Sequence, residues 1–158
     1  MEIGYDTKIL AFKMHIGKWP REYGRDKGHE KFNLDKNGDH YYGMILYCGD
    51  SYAPIPLEKI SDAPNAKKEE HLDDVLLAYF EDFGPDKGSI KLTAIGIDTT
   101  VYREAREFVD GKRLPDRMVE NPYSGNIDYV WHHTVTPANQ MYFFENHPII
   151  IKDRKSVV

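Results

Sequence analysis

The sequence predicts an α+β fold in which a mostly antiparallel sheet and two principal helices form a single domain over residues 1–158. Runs in which apolar and polar residues alternate near both ends of the chain predict strands. Two internal segments carry apolar residues at helical spacing between capping residues, which predicts helices. A chain of 158 residues is typical of one domain that buries its core without disulfide bonds.

The N-terminal third predicts strands separated by polar connections. Residues 7–16 alternate and predict a strand, and a long basic loop rich in glycine follows. Asn37 and Gly38 predict the two-residue turn of a hairpin, because both residue types tolerate positive φ. Residues 41–48 predict the buried second strand of that hairpin, and the proline-punctuated residues 51–57 suit an extended sheet edge.

The middle of the chain predicts the two helices. Asp62 is the predicted cap of the first helix, which ends at Gly84. The second helix is predicted over residues 99–110, with Asp98 as its cap and Gly111 as its stop. The apolar face of the first helix is predicted from Leu72, Val75, Leu76, Tyr79, Phe80 and Phe83.

The remaining segments predict further strands. Residues 89–97 predict a strand between the two helices, and residues 111–126 predict a polar loop. Residues 126–136 and 140–153 predict two strands joined at Pro137-Ala138-Asn139. We expect these last two strands to pair with each other across that short connection.

Charge and cysteine content limit the classes of function. The net charge is -5 and the pI is about 5.8, which argues against non-specific nucleic-acid binding through a global positive field. An acidic chain also fits an inhibitor or antitoxin-like module that binds a basic partner. The chain has one cysteine, Cys48, so no intrachain disulfide forms. No signal peptide or membrane span is predicted, so we expect a cytoplasmic protein.

Three short patterns each admit two interpretations. Asp35, Asn37 and Asp39 match the opening of a calcium loop, but His40 and Leu46 replace its required glycine and glutamate, which favours a turn. The single cysteine is either a nucleophile or a small buried apolar residue. The basic loop from residue 18 to residue 31, with interleaved aromatic residues, either contacts phosphate or is a polar connection.

Three histidines near the C-terminus form a candidate metal site. Neighbouring residues on a strand point to opposite faces, so His132 and His133 face one ion only if the strand bends or ends there. In the expected hairpin, His147 lies opposite Val130 or Trp131. Imidazoles from two strands would then approach one centre, and such ligands suit zinc or another divalent transition metal.

The same region resembles a known nuclease family. The resemblance rests on KLTAIGIDTTVYREAREF, on DYVWHH and on QMYFFENH, in which Met141 follows His133 by eight residues and His147 follows Met141 by six. This pattern is similar to the WHH group of the HNH/endonuclease-VII nuclease superfamily, whose members are commonly toxin domains of bacterial polymorphic toxins. The similarity covers about residues 89–147.

The resemblance implies a metal-dependent phosphodiesterase of a bacterial toxin or phage system, with a nuclease-like region over residues 89–158 and nucleic acid as its partner. It implies that His132 and His147 bind a divalent ion, Zn²⁺ or Mg²⁺. It implies that His133 is the general base and that Asn146 orients it. Neutral imidazole near pH 7 is suited to accepting a proton from water, and the metal would stabilise charge on the phosphate.

Two other functions remain open. The first is a non-enzymatic acidic binding module, such as an immunity protein, an antitoxin-like protein or a phage-encoded inhibitor, with a protein as its partner. The second is a two-histidine phosphoesterase, because His132 and Thr134 match one half of its paired H-x-T motifs. The chain contains no second H-x-T or H-x-S.

Overall fold

The described part of the protein is built almost entirely of β-strands. A computed structural model describes residues 7–14, 31–45, 47, 53–60, 68–82, 89–106, 108–109, 112–113, 117–120, 127–144 and 149–152. Within them, short 3₁₀ segments occur at Lys31–Leu34, Leu57–Lys59 and Ala138–Gln140. The strands are β1 (Lys8–Met14), β2 (Lys36–Asn37), β3 (His40–Gly43), β4 (His71–Asp82), β5 (Ser89–Arg106), β6 (Phe108–Val109), β7 (Lys112–Arg113), β8 (Arg117–Glu120), β9 (Ile127–Val130), β10 (His132–Pro137), β11 (Met141–Phe143) and β12 (Ile149–Lys152).

One mixed sheet of eight strands dominates the fold. Its order is β1-β4-β5-β10-β3-β2, and β11 and β12 also pair with β5. Strand β1 runs parallel to β4, and the other pairs of this sheet are antiparallel. Two further ladders of two strands each join β6 with β7 and β8 with β9. Strand β5 is therefore the central strand of the sheet. Strand β4 pairs along one of its edges, and the three shorter strands β10, β11 and β12 pair along the other.

The prediction of two principal helices is wrong, because β4 and β5 occupy the segments assigned to them. Strand β4 lies between β1 and β5, and every residue from Val75 to Tyr79 is buried. A strand covered on both faces reads as a continuous apolar run rather than as an alternating one. Such a run also contains apolar residues at helical spacing, so periodicity alone does not separate the two structures. The correct fold class is mostly β.

Bulges add to the helical appearance of these strands. The pairing of β4 with β5 shifts register between Leu72 and Val75, and Asp74 within that shift has a φ of 57°. A bulge inserts an extra residue, so Leu72 and Val75 both reach the core although they are three positions apart. Asp98, the predicted helix cap, has a φ of 58° within β5. Aspartate tolerates this left-handed conformation better than most residues do.

The two C-terminal strands do not form the expected hairpin. Strand β10 pairs with β3 and β5, and β11 pairs with β5 at Ala94–Gly96. Both strands run antiparallel to β5, so β11 continues along β5 in the direction of β10 instead of turning back on it. The 3₁₀ segment between them bridges a two-residue offset in register rather than reversing the chain.

The first hairpin is confirmed, but its two turn residues are Gly38 and Asp39 rather than Asn37 and Gly38, and β3 ends at Gly43 instead of extending to residue 48 as predicted. Asn37 pairs with His40, and Gly38 has a φ of 60°, which glycine adopts without steric penalty. The predicted strand near the N-terminus is confirmed as β1. The buried core gathers side chains from β1, β4, β5, β11 and the segment from residue 45 to residue 60; it contains Phe12, Ile45, Ile55, Leu57, Ile60, Leu72, Val75, Leu77, Tyr79, Ala94, Val101 and Met141. None of the helical segments in the described residues is long and apolar enough to cross a membrane.

Candidate functional site at the buried histidine pair

His132 and His133 lie at the start of β10, inside the sheet. Strand β10 is flanked by β5 and β3, so its residues have neighbouring strands on both sides. The exposed fraction is 1% for His132 and 0% for His133, whereas the preceding Trp131 is 42% exposed. The tryptophan of the WHH triplet therefore faces solvent, and both imidazoles are enclosed by protein.

His133 is held by a hydrogen bond that fixes its tautomer. The backbone N–H of Ile45 donates to Nδ1 of His133 at 3.0 Å. A ring nitrogen that accepts a hydrogen bond carries no proton, so the neutral ring carries its proton on Nε2. Nε2 makes no well-formed hydrogen bond with a described residue, although the backbone of Ala53 interacts with the ring. The imidazole therefore serves as an acceptor for the main chain at a position 88 residues away in sequence.

Burial also fixes the charge of His133. Removal of the ring from water lowers its pKa from 6.5 to about 4, and the backbone of Ala53 opposes this effect only in part. His133 is therefore neutral at pH 7. A buried base with this low pKa accepts a proton weakly, and the exposed fraction of 0% leaves no route for a polymeric substrate to reach it.

His132 packs against an aromatic ring instead of sharing the environment of His133. The ring centroids of His132 and Tyr42 are 4.9 Å apart, with an interplanar angle of 42°. Tyr42 belongs to β3, while the contact of His133 is with the main chain beyond the end of β3. The two adjacent imidazoles thus make different contacts, and the pairing of β10 with β5 shifts register between His132 and Thr134.

Asn33 plays a part similar to that of His133. Strand β3 ends at Gly43, and the next residue, Met44, donates its N–H to Oδ1 of Asn33 at 2.8 Å. Asn33 has an exposed fraction of 0%. Two successive backbone N–H groups beyond β3, those of Met44 and Ile45, are thus satisfied by buried side chains. A buried N–H without such an acceptor would be destabilising, so both side chains stabilise this exit from the sheet.

Buried threonines lie on β10 after the histidine pair and on the neighbouring strand β5. Thr99 and Thr136 share a hydrogen bond of 2.7 Å between their hydroxyl oxygens, and both are fully buried. Thr134 pairs with Gly43 across β10 and β3, and a Cβ at Gly43 would overlap the Oγ1 of Thr134. Residue 43 must therefore be glycine for β3 to approach β10 this closely.

The structure describes only part of the predicted metal site. Asn146 and His147 lie outside the described residues, and so do Cys48 and the basic loop from residue 18 to residue 30. The described residues contain no group of three or more His, Cys, Asp or Glu side chains that could hold a metal ion. Of the predicted ligands, this part of the chain includes His132 alone.

The pairing that was expected to bring His147 near the other two histidines is absent from the described strands. His132 pairs with Arg106, at one end of β5. The described strands on either side of residue 147 pair with Ala94 and Leu92, nearer the other end of β5. The described strands therefore do not contain the hairpin from which the position of His147 was expected.

Two side chains that contact the histidines or the same main-chain segment, Asn33 and Tyr42, were not predicted from the sequence. Asn33 lies eleven residues from the N–H that it binds, and Tyr42 lies on another strand from His132. Neither contact leaves a local signal in the sequence, because both depend on how β3 and β10 come together.

Comparison with protein-family models, curated proteins and solved structures finds no significant match to this chain.

Proposed function

We propose that this chain is a non-enzymatic binding module that recognises a protein partner through one face of its sheet. The observation that carries this proposal is a continuous apolar row across four strands. Ala11 pairs with Ala78, Ala78 pairs with Ile95, and Ile95 pairs with Tyr142. Residues paired across a ladder project to the same face of a sheet, so these side chains lie side by side.

Both ends of this row are exposed. Tyr142 is 48% exposed, and Ile9, one pleat from Ala11 on β1, is 39% exposed. Between these ends Ala78 is buried, at 8%, and Ile95 is partly buried, so the candidate interaction surface consists of the exposed apolar side chains at the two ends of the row. Tyrosine is enriched in such surfaces because it combines a large apolar ring with a polar tip.

The acidic balance of the chain supports a partner with a basic surface. At a net charge of -5, long-range electrostatic attraction would raise the rate of association with a basic protein. An inhibitor, immunity protein or antitoxin-like protein works in this way, by covering a partner rather than by catalysing a reaction.

The contacts of the histidines favour binding over catalysis. A nuclease of the WHH type would need His133 to take a proton from water, yet this ring is buried, neutral and engaged with the N–H of Ile45. His132 is enclosed against Tyr42. Structural roles for both imidazoles are consistent with a module whose working surface lies elsewhere.

The test compares complex formation by three variants. Tagged wild-type chain, purified from cells that express it, should bring down one protein in a stoichiometric complex. Tyr142→Ser should weaken that complex at least tenfold. Phe143→Ser is the matched control. Phe143 is similarly exposed, at 39%, but it follows Tyr142 on β11, so its side chain projects to the opposite face of the sheet. His133→Gln should leave the affinity for the partner unchanged wherever the variant remains folded.

The competing nuclease function is tested on the same proteins. Plasmid DNA and RNA are incubated with Mg²⁺ or Zn²⁺, with and without EDTA. We expect no cleavage. Metal-dependent cleavage that His133→Gln abolishes, together with metal retained by the purified chain, would contradict the proposed function.

A further inference from the structure

The open edge of the main sheet borders an apolar groove. Strand β1 is the last strand of the sheet order and pairs with β4 alone among the described strands. A cavity of about 430 Å³ lies beside it and is lined by four consecutive residues, 9–12, of that strand. Side chains on a strand alternate between faces, so four consecutive lining residues mean that the strand edge itself forms this wall.

The opposite wall is apolar and held in place by hydrogen bonds. It includes Ile45, Ile55 and Ile60. The N–H of Ile45 is bound by Nδ1 of His133 at 3.0 Å, and the N–H of Ile55 donates to the carbonyl oxygen of Arg103 at 2.7 Å. A ligand that enters this groove therefore meets a preformed wall, which lowers the ordering cost of binding.

Among the described residues that line the groove, Lys59 has the one cationic side chain. Lys59 is exposed and makes no ion pair with a described residue. Lys8, which is also on β1, donates instead to the carbonyl oxygen of Asp73 at 2.8 Å. The groove thus offers apolar walls and one available positive charge, which is complementary to an apolar segment that carries one carboxylate.

The strand edge adds a main-chain requirement. In a parallel pair, alternate residues of β1 direct their N–H and C=O groups towards β4, and the others direct them away. Those outward groups have no partner strand among the described residues. An open strand edge is a template for another extended chain, and the seven residues of β1 span roughly 23 Å.

We propose that an extended segment of a partner protein adds as a strand to the open edge of β1. Its apolar side chains fill the groove, and one of its carboxylates pairs with Lys59. This inference rests on the proposed binding function and names the site and the chemistry of the partner segment. The groove is continuous with the apolar row, because Ile9 and Ala11 belong to β1 and line the groove as well.

The probe is a library of random heptapeptides displayed on phage and panned against the folded full chain. Peptides retained by Ile9→Glu protein are removed by counter-selection. The enriched peptides should alternate apolar and polar residues and contain one aspartate or glutamate. Synthetic copies should bind wild-type protein at least tenfold more tightly than they bind Ile9→Glu or Lys59→Glu. Both replaced side chains are exposed, so both variants should unfold at the wild-type temperature.

Two further measurements identify the mode of binding. Replacement of the acidic residue of the peptide with lysine should restore binding to Lys59→Glu, because the charges are then exchanged. N-methylation of alternate peptide bonds should abolish binding in one register and leave it intact in the other, since only one set of amides faces β1. Equal tolerance of both methylation registers would overturn strand addition.

The remaining outcomes separate this inference from the proposed function. Peptides whose binding is lost in Tyr142→Ser but kept in Lys59→Glu would place the partner on the sheet face, which overturns the groove proposal and leaves the binding function standing. Decanoate that binds the groove, with no enriched peptide, would make it a site for aliphatic carboxylates and would overturn the peptide proposal. If no peptide and no stoichiometric partner is found, both proposals fail.

Discussion

Replacement of His133 with glutamine removes a buried titratable ring and keeps a side-chain oxygen that accepts a hydrogen bond. In the folded protein the pKa of His133 is lowered to about 4, against 6.5 for the unfolded chain. Between these two values the unfolded state binds more protons than the folded state. The free energy of unfolding therefore falls as the pH is lowered through this window.

The size of this effect follows from the shift. A pKa difference of about 2.5 units corresponds to about 3 kcal/mol at about 1.4 kcal/mol per unit. This contribution is fully present above pH 6.5 and is lost as the pH falls through 4. By the same relation, about 2 kcal/mol should be lost between pH 7.5 and pH 5.

The assay is urea denaturation of wild-type and His133→Gln protein at half-unit intervals from pH 7.5 to pH 4.5. Carboxylates and the other histidines titrate in both proteins, so their effects cancel in the difference between the two unfolding free energies. That difference should shrink by about 2 kcal/mol by pH 5, because only the wild type loses the contribution of His133. His71→Gln removes an exposed imidazole that lies 3.4 Å from the Asp73 carboxylate, and it is measured in parallel as the comparison for a ring outside the core. A difference that stays constant with pH would refute the burial argument.

Two substitutions test the packing around the histidines. Gly43→Ala places a Cβ against the Oγ1 of Thr134 and should lower the free energy of unfolding by about 1–3 kcal/mol, measured by urea denaturation. Gly38→Ala is the comparison: its Cβ meets no atom, but its positive φ should lower the free energy of unfolding by about 1 kcal/mol. Thr99→Val leaves the buried hydroxyl of Thr136 without its partner and should cost about 1–3 kcal/mol, whereas the double variant with Thr136→Val should recover part of that loss. A Gly43→Ala protein as stable as wild type would contradict this packing. So would a double variant whose loss of unfolding free energy exceeds the sum of the losses of the two single variants.

Local features of the fold could be predicted from the sequence. The hairpin near Gly38 could be predicted because glycine adopts positive φ without steric penalty, although the turn residues are Gly38 and Asp39, one position later than predicted. The alternation in β1 is similarly local, because one side of that strand is largely buried and the other is exposed.

The central strands could not be predicted because their burial depends on neighbours far along the chain. Val75 to Tyr79 are all buried because β4 lies between β1 and β5 and is packed on both faces. The continuous apolar run in the sequence reflects this burial. The bulge at Asp74 then sets Leu72 and Val75 on the same side. Both effects imitate a helix, and neither is visible in a short window of sequence.

The surroundings of the two histidines could not be predicted either, because they too depend on residues far along the chain. The WHH triplet shows that two imidazoles are adjacent, but the enclosure of His133 depends on the N–H of Ile45, which is 88 residues away. The expectation that β10 and β11 pair was reasonable for a short connection containing proline. It failed because β5 is long enough to accept β10, β11 and β12 one after another along the same edge.

The most direct test of the structural role of His133 is a titration of its ring by two-dimensional ¹H–¹⁵N NMR. We expect a neutral ring with its proton on Nε2 at pH 7, chemical shifts that stay constant down to about pH 5, and no change on addition of Zn²⁺ or Mg²⁺. A ring that titrates near pH 6.5, or whose resonances shift when a divalent ion is added, would show that His133 is accessible and would return it to the role of a catalytic base or ligand.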